Sequence, residues 1–190
     1  MSQKILNYLK TNTLAIILLV CSFAGIYASL YLTMETFHVA ENASYQPTCT
    51  IDATIDCLSV MKSEYSESFG IPNPLFGIIF YSAFMAFAFI LLLHNSGNVS
   101  IRTFRLGILP TIGGFFFSYY LLWRSIFFIG KVCPWCLVSC LAATNIFFIM
   151  MMFGFKKYSK YIMLLAYFWN LILIAYLVTN YPGLLKFHFI

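Results

Sequence analysis

Five runs of about twenty apolar residues dominate this sequence, and no other feature restricts its fold as much. They lie at Leu14 to Met34, Asn73 to Leu93, Phe104 to Phe128, Cys133 to Phe155 and Tyr161 to Asn180. Each is near the length at which a helix rising ~1.5 Å per residue crosses ~30 Å of hydrocarbon. They consume so much of the 190 residues that a single membrane domain, 1–190, is expected and no separate soluble domain fits. Composition agrees: 9% of the residues are charged, against about 25% in soluble proteins, and the mean hydropathy is +0.87. The expected fold is all-α and integral to the membrane, a four-helix bundle with a fifth transmembrane helix outside it and a loop, 35–72, capping one end.

The first run follows Lys4 and Lys10 as a signal peptide would, but it is longer than an h-region and lacks a small-x-small cleavage site. It is therefore read as retained. Lys4, Lys10, Arg102, Arg105, Lys156, Lys157 and Lys160 fall on one side of the predicted membrane, and only Lys62, Arg124, Lys131 and Lys186 at or near the other. The positive-inside bias makes the first side cytoplasmic, with the N-terminus, and turns the long loop to the extracytoplasmic face, as in a bacterial plasma membrane. All six acidic residues, Glu35, Glu41, Asp52, Asp56, Glu64 and Glu67, lie in that loop. The net charge of +5 is scattered between apolar runs and forms no basic stripe, which argues against nucleic acid as a partner. Arg124, near the outer end of the third run, is read as snorkelling to the interface.

Four of the six cysteines sit at polar or boundary positions, and the topology brings all four to the loop side. Cys21 and Cys140 lie within apolar runs and read as packing. Cys133-Pro134-Trp135-Cys136 stands where a loop enters a helix, and free amide groups at a helix N-terminus favour a thiolate. Proline suits the first helical position, where its missing N–H had no partner. Zinc ligation or an inert disulfide is the alternative for this motif, though no nearby histidine spacing supports a metal. Cys49 and Cys57, seven residues apart, read alone as a structural disulfide and, beside the second pair, as the other half of a two-electron shuttle. Leu58, Met61, Tyr65 and Phe69 recur at helical spacing and predict a short amphipathic helix over Asp56 to Phe69.

Taken in order, Cys49-x7-Cys57, Ser63, the stretch Phe69-Gly70-Ile71-Pro72-Asn73-Pro74-Leu75-Phe76-Gly77 running to Phe80-Tyr81, and Tyr120-x2-Trp123 before Cys133-x2-Cys136 resemble the vitamin K epoxide reductase family over about residues 10 to 155. The resemblance implies that Cys136 faces a quinone, Cys133 is its exchange partner, Cys57 attacks Cys133, and Cys49 meets an outside thiol. It matches Ser63 to the family's serine and Asn73 to its quinone-contacting asparagine, with Phe76, Phe80 and Tyr65 in the apolar pocket. The quinone would be a ubiquinone, a menaquinone or a vitamin K type. The chain is most like bacterial members, but only Tyr181 to Ile190 follow the fifth run, so a separate thioredoxin-fold thiol oxidase is the expected partner.

The expected function is a thiol-disulfide oxidoreductase that oxidises such a partner and reduces a quinone, supporting disulfide formation in secreted proteins. One competitor is a quinone or vitamin K epoxide reductase driven by thiols. Against epoxide reduction, Cys140 stands where the animal enzymes carry a tyrosine. A second is the unrelated bacterial disulfide oxidase, in which the Cys-x-x-Cys precedes the loop pair, the reverse of the order here. A third is a membrane scaffold with structural disulfides.

Overall fold

The computed structural model describes residues 3–42, 44–93 and 101–186. The side chains of Lys4, Lys10 and Lys186, counted above in the charge distribution, lie outside the described residues. Among the described residues, six α-helices carry the fold: α1 (Gln3–Glu41), α2 (Cys57–Met61), α3 (Asn73–Leu93), α4 (Ile101–Arg124), α5 (Pro134–Gly154) and α6 (Ser159–Asn180). Five of them, counting the π-helical turn Ser125–Ile129 that extends α4, are long and apolar enough to cross a membrane. The expected all-α membrane architecture is therefore what the chain adopts.

Helix α1 packs along α3 and α5, α4 packs on α5, and α6 lies against α5 on the outside. Small residues permit the closest approach. A Cβ on Gly25 would come within 2.5 Å of the Tyr81 ring, so α1 and α3 meet with one backbone almost touching the other's side chains. By contrast, α3 and α4 touch mainly through long rings, Phe76 on Phe117 and Phe87 on Phe104, which leaves a cleft between them. Helix α6 is tied to the bundle by polar contacts in an otherwise apolar seam: Trp169 Nε1–H donates to the Tyr119 hydroxyl at 2.6 Å, and the Asn145 and Asn170 amides pair with each other.

Three boundaries depart from the sequence reading. Helix α1 starts at Gln3 instead of Leu14 and continues past Met34 to Glu41, where its last turns meet protein instead of lipid: Tyr31 tilts against Trp135 of α5, Glu35 is buried, and His38 meets Tyr45 of the loop edge-on. The loop helix is present but ends at Met61, well short of Phe69. Ser63 turns its hydroxyl back onto the Val60 carbonyl, and Glu67–Ser68 then pairs antiparallel with Ile71–Pro72 around Phe69 and Gly70. Both turn residues have positive φ, 57° and 74°, the pattern of a two-residue hairpin. Phe69, placed by periodicity on an apolar helix face, is instead 99% exposed at the hairpin tip. A helical period and a hairpin both space apolar residues about four apart at this length, and the Gly-x-Pro sequence decided between them.

Candidate active site

The loop is locally self-determined before it meets the bundle. The Asp52 carboxylate accepts from the N–H groups of Thr54 and Ile55 and from the Thr54 hydroxyl, closing a tight turn. That turn presents Ile55 to Val132 as an isolated parallel bridge, with the Val132 N–H donating to the Thr54 carbonyl at 2.9 Å and the Asp56 N–H to the Val132 carbonyl at 3.2 Å. Lys131 adds its ammonium to the Ala53 carbonyl. Cys57 follows Ile55 by two residues and Cys133 follows Val132 by one. The bridge thus converts a separation of 76 residues in sequence into a contact of 3.3 Å between the Cys57 and Cys133 sulfurs.

Asp56 caps α2, taking the Ser59 N–H at 3.1 Å and the hydroxyls of Ser59 and Thr50. Partial burial works to raise its pKa, but these donors and the nearby Lys131 charge outweigh that and hold the carboxyl below its usual range. Cys57, the first residue of α2, is joined by a disulfide to Cys49. Both sulfurs are covered, Cys49 being 1% exposed, beneath the segment that Tyr31 fastens by a 2.5 Å hydrogen bond between its hydroxyl and that of Thr48.

Cys133 caps α5 from an extended backbone, with Pro134 in the first turn, and its sulfur accepts the Cys136 N–H at 3.4 Å. Burial would push this thiol's pKa up. Hydrogen bonds from the Cys136 side chain and from the Cys136 and Trp135 backbone prevail and hold it below the ordinary thiol range. Cys133 and Cys136 are free thiols here, so the structure holds the outer pair oxidised and the inner pair reduced.

Both inner cysteines open on an apolar cavity of about 420 Å³. Its wall includes Ser63, Tyr65, Asn73, Phe76 and Phe80, so the cavity gathers every residue assigned from sequence to the quinone, together with Cys133, Cys136 and Ser63, but neither Cys49 nor Cys57. Ser63 is spent locally on the Val60 carbonyl. The Asn73 amide donates to the Tyr65 carbonyl at 2.7 Å, while its buried Oδ1 has no partner. Sequence reading overlooked Tyr81, whose hydroxyl reaches the Ser139 carbonyl and hydroxyl at 2.7 and 2.8 Å in the cavity wall. It also overlooked Phe117, Ser118, Gly113 and Gly114, the last of which has no side chain and so leaves room for the Phe80 ring. Cys140, read as packing, lies in the cluster of Leu122, Val132, Leu137 and Leu177 and also borders the cavity. No group of three or more His, Cys, Asp and Glu side chains able to hold a metal occurs among the described residues.

A cavity of this size, apolar except for a few polar groups, fits a small planar ligand. In its wall the Asn73 amide carries both acceptor and donor groups, and its buried oxygen is left without a partner. A family model described as the vitamin K epoxide reductase family matches residues 16–152. No curated protein matches the chain.

Proposed function

The chain belongs to the vitamin K epoxide reductase family, whose members are membrane oxidoreductases, and on that premise we propose that it moves electrons from a thioredoxin-fold dithiol to a quinone. The observation that carries this reading is the 3.3 Å approach of the Cys57 and Cys133 sulfurs, with Cys133 and Cys136 opening on the apolar cavity. An outer dithiol reduces the Cys49–Cys57 disulfide by exchange at Cys49. The Cys57 thiolate then attacks Cys133 of an oxidised inner pair and Cys136 leaves as thiolate. Cys49 next displaces Cys133 from Cys57, restoring the outer disulfide and leaving both inner cysteines as thiols. That last state is the one described above. A quinone bound in the cavity supplies a two-electron, two-proton acceptor. Cys136 and Cys133 release the electrons and the thiol protons as their disulfide reforms, and Asn73 orients the ring from the pocket wall.

Two further features of the fold enter this mechanism. With Cys49 covered, exchange with an outside thiol requires the segment around Thr48 to lift and the Tyr31 to Thr48 bond to break. The cleft between α3 and α4, lined by Ile79, Ala83, Phe87 and Pro110, shares Phe76 and Phe80 with the cavity and offers a hydrocarbon tail a route to the bilayer. The positive-inside distribution places the cysteine end outside the cytoplasm, where disulfides persist. The identity of residue 140 as cysteine favours a quinone over the vitamin K epoxide as acceptor.

The test is quinone reduction by the purified protein in detergent, driven by a small dithiol. Wild type is expected to turn over and Cys136→Ala to be inactive. Full turnover by Cys136→Ala would overturn the relay, and inactivity of wild type with both benzo- and naphthoquinones would favour structural disulfides.

A further inference from the structure

Arg124 sits among four rings contributed by two parts of the chain. Its guanidinium carbon lies 4.5 Å from the centre of the Tyr65 ring, 4.5 Å from Phe128, 5.2 Å from Tyr120 and 5.3 Å from Trp123. Its Nε–H donates to the Tyr120 hydroxyl at 3.2 Å. Tyr120 and Trp123 come from α4 and Phe128 from the π-helical turn that follows it, an irregularity that recurs at functional sites. Tyr65 comes from the cysteine loop and also meets Phe128 edge-on. A cation near the end of a membrane-spanning helix is expensive to keep away from water, and snorkelling would be the simplest relief. The negative faces of the rings supply the alternative, and in doing so fasten Tyr65 to α4.

Tyr65 is also the residue whose carbonyl receives the Asn73 amide, and both residues line the cavity. The same short segment carries the Ser66 carbonyl, which accepts the Asn73 N–H at 3.0 Å, and the Ser66 N–H, which donates to the Ser63 carbonyl at 3.1 Å. We propose that Arg124 is a positioning residue for the acceptor site: by holding the Tyr65 ring against α4 it fixes the loop edge that closes the cavity and orients the Asn73 amide. This rests on the reading of the cavity as a quinone site. Arg124 is absent from the cavity wall and acts only through Tyr65. The charge of the side chain is what the rings attract, so lysine should substitute for it and glutamine should not.

The experiment compares Arg124→Lys, Arg124→Gln, Tyr65→Leu and the Tyr65→Leu/Arg124→Gln double variant. Glutamine is expected to raise the quinone KM by about five-fold, the size of effect a partly exposed cation–π contact allows, with kcat at saturating quinone and the dithiol KM unchanged. Lysine should stay within about two-fold of wild type, and the double variant should be no worse than Tyr65→Leu alone, because both changes cut the same link. Additive losses, or lysine and glutamine equally impaired, would overturn the proposal. A second readout does not depend on turnover: amide hydrogen exchange over Ser63 to Asn73 should quicken in Arg124→Gln and stay at the wild-type rate in Arg124→Lys. If wild type reduces no quinone, the functional reading fails by itself, and unchanged exchange in Arg124→Gln would separately sink the clamp.

Discussion

At the scale of single residues, side chains near the cysteines are committed to holding the loop as well as to chemistry. Asp56 is the clearest case. Its folded carboxyl pKa lies below the ordinary 3.8, so the stabilisation is fully present above about pH 4 and is lost as pH falls through the lower folded value. Acid unfolding followed in detergent should therefore show a loss of loop order below pH 4 that Asp56→Asn shifts or removes. At neutral pH, Asp56→Ala removes the cap of α2 and should cost about 1 kcal/mol, read as faster exchange of the Ser59 amide. Of the assigned residues, Cys133 and Cys136 stood out in the sequence as a Cys-x-x-Cys at a helix start, and the structure places both at the start of α5 on the cavity wall. Tyr81 was not legible, since a tyrosine within an apolar run shows its cavity position only once α3 is packed against α5.

At the scale of elements, the membrane helices other than α1 were readable to within a turn or so because hydrocarbon thickness sets their length. What escaped was how they end. Helix α1 runs on because the loop offers its last turns a protein surface, and the predicted loop helix stops early because Phe69 and Gly70 adopt a positive-φ turn. The polar contacts that tie α6 to α4 and α5 carry a prediction of their own. Polar contacts between membrane helices contribute about 0.6 kcal/mol on average. Trp169→Phe, which loses the bond to Tyr119, should lower the thermal midpoint in detergent by a few degrees while leaving dithiol-driven turnover intact, because neither residue borders the cavity. A fall in activity at unchanged stability would mean that α6 does more than support the bundle.

At the scale of the whole molecule, the bundle is asymmetric: tightly packed between α1 and α3 and between α4 and α5, and open between α3 and α4. If that opening admits a hydrocarbon tail, Ala83→Trp, placed on the exposed side of the cleft, should raise the KM for a long-tailed quinone several-fold and leave a tailless one unaffected. Equal effects on both would mean the cleft is only a packing defect. The sequence by itself determined that the chain forms five helices long and apolar enough to cross a membrane, and it singled out the four cysteines that the fold gathers at one end. These follow from hydrophobic length, charge distribution and local helix chemistry, all of which act over a few turns of chain. The approach of Cys57 to Cys133 was implied by the family resemblance and not by spacing or composition, and only the tertiary structure decided that the Asn73 oxygen is left without a partner and that the loop's Tyr65 joins the rings around Arg124. Each of these depends on side chains from segments distant in sequence meeting within a few ångströms, and no local periodicity or composition encodes that distance.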